Sequence, residues 1–255
     1  MRRAIMILLL LLASSLSAQQ VRVAAASDLQ FVMQEIAPRF QKETGQTVQL
    51  TYGSSGNFYA QIQNGAPFDI FLSANVDYPK RLEDAGLAEP KSYLEYATGK
   101  IVLWVPRESK LDLSRGLQAL TDETIRKVAI ANPQHAPYGQ AAVAAMKKEG
   151  VYDKVSEKLV LGENISQTAS FVVAGSADAG IIALSLAMGP PMKEKGRYIE
   201  IPSEDYAPIQ QACVILKSAR DKAASKQFVD FLKTPTTQDI LKSYGFAVAA
   251  KSNAH

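Results

Sequence analysis

The feature that most constrains the fold of this chain is the order of its local patterns, because strand-like and helix-like runs alternate. Residues 21–26 form an apolar run typical of a buried strand, and apolar residues then recur at helical spacing from Leu29 to Phe40. The same order returns at 47–64, at 69–84 and, from residue 101, in the second half. This alternation predicts the α/β class, with parallel sheets covered by helices on both faces.

The predicted strands and helices fall into two groups, which suggests two α/β lobes. In open sheets of this kind, ligands bind at the carboxyl ends of strands, where loops lead into helix N-termini. A helix N-terminus presents unpaired amides and a partial positive charge, so several of them together could hold an anion. Four loops occupy such positions, namely 27–28, 53–56, 137–139 and 164–165.

The first 18 residues have the pattern of a secretory signal peptide. Arg2 and Arg3 precede an apolar run, and small residues lead to Ala18, after which we expect cleavage. Leu16 is not the small residue preferred before a cut, so cleavage one residue earlier stays open. The apolar run is too short to span a membrane comfortably. We therefore predict export to the periplasm as a soluble protein.

Charge and cysteine content exclude several classes of protein. Without Arg2 and Arg3, basic residues outnumber acidic ones by one and form no long block, so nucleic acid is not an expected partner. Cys213 is the single cysteine, so no disulfide can form within the chain, and its apolar neighbours favour a buried thiol. An exported chain of this size without disulfides fits a bacterial periplasmic protein.

Two of the four loops carry a serine where a strand gives way to a helix. Ser27 alone would be interpreted as a helix cap, and Ser55 as part of a Gly/Ser turn. Their equivalent positions instead favour two hydroxyl donors that meet one oxyanion. Tyr138 and Ile165 stand at the other two helix starts, where each would supply a backbone amide or simply form an ordinary turn.

A site built from neutral donors selects its anion by protonation state. Hydrogen phosphate keeps a proton at neutral pH and needs an acceptor, whereas sulfate, molybdate and tungstate need only donors. Hydrogen bonds to a charged group contribute about 1.5–3 kcal/mol each, so about six of them would support micromolar or tighter binding. Asp28 would repel the anion. We expect its side chain to point away, towards the helix N-terminus, so that only its backbone amide contributes.

Catalytic and metal-binding functions find little support in the sequence. A serine hydrolase would need Ser55 as nucleophile and His135 as base, but the segment 53–56 lacks the Gly-x-Ser-x-Gly pattern. Two histidines and one cysteine leave no cluster for a transition metal, and no phosphate-loop or dinucleotide motif is present. We expect no enzyme activity and no cofactor, with the hydrolase as a remote alternative.

Several motifs occur in an order that is typical of a known family. They are 23–29 (VAAASDL), 52–56 (YGSSG), 65–74 (GAPFDIFLSA), 132–139 (NPQHAPYG), 163–168 (ENISQT) and 244–246 (YGF). In this combination the chain resembles the periplasmic molybdate-binding proteins of ABC importers, the ModA family, over essentially all of its length after the signal peptide. The resemblance implies a type II periplasmic-binding fold with two lobes joined by two crossing segments. Residues 19–98 with 207–255 would form one lobe, and 99–206 the other.

The resemblance also implies the oxyanion-binding residues, which it places at Ser27, Ser55, Tyr138 and Ile165. Molybdenum would be bound only as the oxyanion, without direct protein ligands to the metal. Some members add a Tyr hydroxyl where this chain has Ala183, so that donor is missing here. The hydroxyl of Tyr138 or the amide of Asp28 is the candidate replacement.

The function implied by the resemblance is capture of molybdate, and also of tungstate, by hinge closure between the lobes. The closed protein, which we expect to be a monomer, would deliver the anion to an ABC permease in the inner membrane. Another tetrahedral oxyanion such as sulfate remains the alternative, because cavity size decides between these ions and a sequence does not give that size.

Overall fold

The computed structural model describes residues 20–248, in which the strands form two five-stranded sheets. The predicted signal peptide lies outside these residues. The first sheet contains β1 Val21–Ala26, β2 Val48–Gly53, β3 Ile70–Ser73, β4 Leu94–Gly99 and β10 Ile209–Ile215. The second contains β5 Ile101–Pro106, β6 Val128–Ala131, β7 Leu159–Gly162, β8 Ala179–Ala183 and β9 Gly196–Glu200. We call each sheet with its helices lobe I and lobe II, respectively.

The helices follow the same division along the chain. In lobe I they are α1 Val32–Thr44, α2 Ser55–Gln63, α3 Asp77–Asp84, α9 Lys222–Phe231 and α10 Pro235–Ser243. In lobe II they are α4 Pro137–Lys148, α5 Tyr152–Val155, α6 Ile165–Val173, α7 Leu184–Ala187 and α8 Pro190–Lys195. Within residues 20–248, no helix combines the length and the apolar character that a membrane crossing requires.

Both faces of the first sheet are covered, because successive side chains of a strand point to opposite sides. Val23 and Ala25 of β1 belong to the same buried cluster as Phe40 of α1. Ala24, between them, belongs to a second cluster that contains Phe58 of α2. The sheet therefore lies between two helical layers, as the near-continuous apolar character of β1 requires.

Strand direction differs from the prediction of parallel sheets. In lobe I, β1 is parallel to β2 and β3, but β10 is antiparallel to β3 and β4. In lobe II, β6 is parallel to β7 and β8, but β5 is antiparallel to β8 and β9. The parallel strands are those linked by crossover helices. β5 and β10 enter from the other lobe, so no such helix imposes their direction.

The chain crosses between the sheets twice. Lys100 alone separates β4 from β5, and residues 201–208 join β9 to β10. The assignment of 19–98 with 207–255 to one lobe and of 99–206 to the other stays a prediction at the level of individual residues. The two crossings bring the carboxyl ends of β1 and β6 to the boundary between the lobes, where the loops of interest lie.

Candidate functional site

The four loops predicted from the sequence meet at one small cavity between the lobes. Its lining consists of Ala26, Ser27, Asp28, Gly53, Ser54, Ser55, Ala74, Ala136, Pro137, Tyr138 and Ile165, so all five predicted site residues are present. The cavity offers about 10 Å³ to the centre of a water-sized sphere, which is roughly the space that one water molecule needs. In the part of the chain that the structure describes, the lining contains no Lys, Arg or His.

Three helices begin at this cavity. Ser55 is the first residue of α2, Ile165 the first of α6, and Tyr138 the second of α4. Amides in the first turn have no acceptor within their own helix. The backbone amides of Ser55, Tyr138 and Ile165 donate to no other group within residues 20–248. The arrangement therefore aims unpaired amides from both lobes at the same point, with the positive ends of three helix dipoles behind them.

Ser55 is fully buried, and its hydroxyl is oriented by the backbone. Its Oγ accepts a hydrogen bond from the amide of Ala74 at 2.9 Å. A hydroxyl has one proton to donate, and this contact leaves the proton of Ser55 available for a ligand. Capping of α2 falls instead to Ser54, whose Oγ accepts from the amide of Asn57 at 3.4 Å.

Ser27 does not cap the first helix, so that interpretation is wrong. It opens a short 3-10 turn, Ser27–Leu29, before α1, and Ala26 occupies the cap position without a side-chain bond. The Ser27 Oγ donates to Oδ1 of Asn164 at 3.2 Å and accepts from the amide of Ser166 at 3.3 Å, both in lobe II, so its proton reaches a ligand only by leaving Asn164. Since Asn164 caps α6, Ser27 contacts the loop that holds Ile165.

The side chain of Asp28 forms hydrogen bonds at the boundary between the lobes, which the sequence did not lead us to expect. It is 1% exposed, and its Oδ2 accepts from the Tyr138 hydroxyl at 2.9 Å and from Nε2 of Gln211 at 2.6 Å. Two direct hydrogen bonds outweigh the weaker attraction of a helix N-terminus, so the carboxyl group lies between the lobes. Burial raises the pKa of Asp28 to about 6, although both hydrogen bonds oppose this shift.

The Tyr138 hydroxyl is already engaged and is a poor replacement for the missing donor at Ala183. It donates to Asp28 and accepts from Nε2 of Gln211 at 3.1 Å. Burial raises the pKa of Tyr138 well above its usual value, so the phenol is neutral. Ala183 pairs with Ile101 inside the second sheet and is fully buried, and it is not part of the cavity lining.

Gln211 is a site residue that the sequence analysis missed. It is fully buried in β10, and its Oε1 accepts from the Tyr96 hydroxyl at 2.8 Å while its Nε2 holds Asp28. The signal was present, because two glutamines, Gln210 and Gln211, stand in an otherwise apolar strand, and a buried amide needs partners. The sequence could not tell which partners these are.

Further polar contacts join the two lobes around the cavity. The His135 Nδ1 lies 2.9 Å from Ser54 Oγ, and the amide of Gly56 donates to the His135 carbonyl at 2.9 Å. Ser185 donates to the Asp28 carbonyl at 2.8 Å. For the hydrolase alternative this geometry is unfavourable. His135 contacts Ser54 and not Ser55, and no carboxylate in residues 20–248 bonds its ring.

The fold and the site define a class of protein, and comparisons with known proteins agree with that class. The family model described as bacterial extracellular solute-binding protein matches residues 21–247. The chain is 42% identical to the molybdate-binding protein ModA of Rhodobacter capsulatus, over 92% of this chain and 91% of the relative. It is 38% identical to the ModA protein of Azotobacter vinelandii, over 93% of this chain and 94% of that relative. The chain therefore belongs to the ModA family of bacterial extracellular solute-binding proteins.

Solved structures give the same result for the fold. The periplasmic molybdate-binding protein of Azotobacter vinelandii superposes with a TM-score of 0.85 at 35% identity, covering 91% of this chain and all of that one. The sulfate-binding protein SubI of Mycobacterium tuberculosis has a TM-score of 0.76 at 17% identity, covering 91% and 88%, which shows a shared fold alone. The predicted α/β class, periplasmic-binding fold and family are confirmed.

Proposed function

We propose that this chain captures molybdate, and also tungstate, and delivers it to an ABC importer. One observation carries the proposal: Ser27, Ser55, Tyr138 and Ile165 line a single small cavity, and among residues 20–248 its lining has no basic side chain. Such a set suits an ion that needs only donors. The names of the two most similar relatives reported above support molybdate as that ion.

Tungstate enters the proposal because it has the same shape and charge as molybdate and offers the same four acceptor oxygens. Hydroxyls and amides recognise oxygens, not the central atom, so the site has little chemical means to separate the two ions. Catalysis has no role in this function. The protein binds, closes and releases its ligand, and it acts as a monomer without a cofactor.

We also propose that the protein works in the periplasm after cleavage of its first 18 residues. A relative from Azotobacter vinelandii is described as periplasmic, and one from Bacillus subtilis, 29% identical over 88% of this chain, as a substrate-binding lipoprotein of an ABC transporter. Amino-terminal sequencing of the protein from a periplasmic fraction would test both location and cleavage site. A first residue other than Gln19 would move the site, and recovery of uncleaved protein would reject the signal peptide.

Isothermal titration calorimetry with four anions tests the ligand. Purified protein freed of ligand is titrated in turn with molybdate, tungstate, sulfate and phosphate at neutral pH. We expect molybdate and tungstate to bind one per chain at micromolar or lower concentration, and sulfate and phosphate to bind much more weakly. A large heat of binding with sulfate or phosphate and none with molybdate would contradict the ligand assignment. It would not contradict the fold.

A further inference from the structure

Among the described residues, Asp28 is the one carboxylic acid that lines the cavity, and most of its acceptor atoms are occupied. Its Oδ2 accepts from Tyr138 and Gln211, and its backbone carbonyl accepts from Ser185. Its other carboxyl oxygen, Oδ1, is buried and has no hydrogen-bond partner within residues 20–248. A buried polar atom of this kind needs a partner, and Asp28 belongs to the cavity lining, where a ligand oxygen can supply one.

An ionised Asp28 would oppose an anionic ligand. Two negative charges in a water-poor site repel each other strongly, and like charges raise the pKa of the weaker acid. The groups that face Asp28 are Gln211 of β10, Tyr138 of α4, Ser185 of α7 and, through Gln211, Tyr96 of β4. None is cationic, and the titratable groups among them, Tyr96 and Tyr138, are held neutral by burial.

We propose that Asp28 binds the oxyanion as a neutral acid and donates its proton, carried on Oδ1, to a ligand oxygen. Oδ2 then remains the carbonyl oxygen that accepts from Tyr138 and Gln211, so no existing hydrogen bond has to change. The proton comes from solution when the anion binds. This inference rests on the proposed function and adds a donor to it, at the place where the sequence suggested only a backbone amide.

Burial also favours protonation of Asp28 when the anion binds. It already raises the pKa of Asp28 to about 6 without an anion beside it, and a bound dianion raises that pKa further. Above about pH 7 the free protein has an ionised Asp28 and the complex a neutral one. Binding therefore takes up close to one proton, and the affinity falls by up to about tenfold for each pH unit.

Calorimetry measures this proton directly. Wild-type protein is titrated with molybdate at about pH 7.5 in two buffers with different ionisation enthalpies, and the difference in heat gives the protons taken up. Molybdate carries no proton at this pH, so uptake must occur on the protein. We expect a value close to one. Asp28→Asn, which presents an amide N–H in place of Oδ1–H, should reduce the uptake to near zero and remove most of the pH dependence of the affinity.

His135 provides the matched control, because it is an imidazole beside the cavity that contacts Ser54 across the cleft and does not contact Asp28. His135→Asn should keep the uptake close to one. Molybdate binding without proton uptake would overturn the role of Asp28 but leave the proposed function standing. Uptake that persists in Asp28→Asn would also overturn it. Absence of molybdate binding in the wild type would instead reject the proposed function, and the wild-type measurement does not depend on any variant folding.

Discussion

Burial of Asp28 links its protonation to the stability of the fold. The pKa is about 6 in the folded chain, against 3.8 for an unperturbed group, so the folded state holds its proton more tightly. Protonation then stabilises the fold below about pH 4, and this contribution is lost as the pH rises to 6 and above. At neutral pH, where Asp28 is ionised, the raised pKa lowers the unfolding free energy by about 3 kcal/mol relative to a carboxyl group with the same pKa in both states.

Asp28→Asn should therefore change how stability depends on pH. The quantity to compare is the unfolding free energy of the variant minus that of the wild type, both without ligand. We expect this difference to favour the variant by up to about 3 kcal/mol more at about pH 7.5 than at about pH 4. Urea unfolding of both proteins at the two pH values measures this. The same pH dependence in both proteins would mean that Asp28 titrates alike in the folded and unfolded chains.

The two serines of the cavity lead to a second prediction. Ser27→Ala and Ser55→Ala should each weaken molybdate binding by about 1.5–3 kcal/mol, the contribution of one hydrogen bond to a charged group. Ser55→Ala should also lower the unfolding free energy, because the buried amide of Ala74 loses its acceptor. Calorimetry gives the affinity and urea unfolding the stability.

Ser243→Ala is the matched control for these two variants. Ser243 is exposed at the end of α10, and its hydroxyl bonds only the carbonyl of Ile240. Its substitution should leave molybdate affinity unchanged. If Ser27→Ala and Ser55→Ala both matched this control, the two serines would have a structural role alone.

At the scale of elements, the start of α2 is built for close approach of the two lobes. Gly56 donates its amide to the carbonyl of His135, and a Cβ added to Gly56 would lie 2.6 Å from that oxygen and 3.0 Å from the His135 Cα. Those atoms belong to the backbone and cannot rotate away. A side chain here is compatible with α2 but not with the observed contact between the lobes.

Gly56→Ala should therefore separate affinity from stability. We expect molybdate binding to weaken by about tenfold to a hundredfold, since overpacking costs about 1–3 kcal/mol in the closed form. The unfolding free energy without ligand should not fall, because alanine is the better helix former and the clash arises only when the lobes meet. Equal affinity in the variant and the wild type would show that binding does not require this contact.

The elements that build the site were also the most predictable ones. A buried run followed by an amphipathic one predicts β1 with α1, or β6 with α4, from local pattern alone. Local sequence pattern predicts neither β4 nor β9. Both are edge strands with polar residues, and β9 has the burial pattern of a strand covered on one side only. Their formation depends on a partner strand that is distant in sequence.

At the scale of the whole molecule, the unpredicted part of the site is the part that is most distant along the chain. The hydrogen bond between Asp28 and Gln211 spans 183 positions, and the one between Asp28 and Tyr138 spans 110. Local pattern gives the position of each residue on its own element. Only the tertiary arrangement determines that the carboxyl group of Asp28 finds its hydrogen-bond donors in α4 and β10.

The position of the cavity between the lobes also predicts how a ligand affects unfolding. Each lobe has an extensive apolar core, and a few lobe I residues such as Ala26 and Ala74 also pack with the core of lobe II, whereas the contacts described around the cavity are polar. A ligand that touches both lobes should therefore stabilise both. At a thousandfold excess over the dissociation constant the stabilisation is about 4 kcal/mol, or roughly 10 °C in the midpoint for a chain of this size.

The single tryptophan makes this prediction testable for each lobe. Trp104 is buried in β5, so its fluorescence reports on lobe II, whereas far-UV circular dichroism reports on both lobes. With molybdate in excess, we expect the two thermal transitions to coincide and to move upwards together, with sulfate at equal concentration as the control. A circular dichroism transition that rises while the fluorescence transition stays in place would show that the anion binds to lobe I alone. That result would contradict a site shared between the four loops.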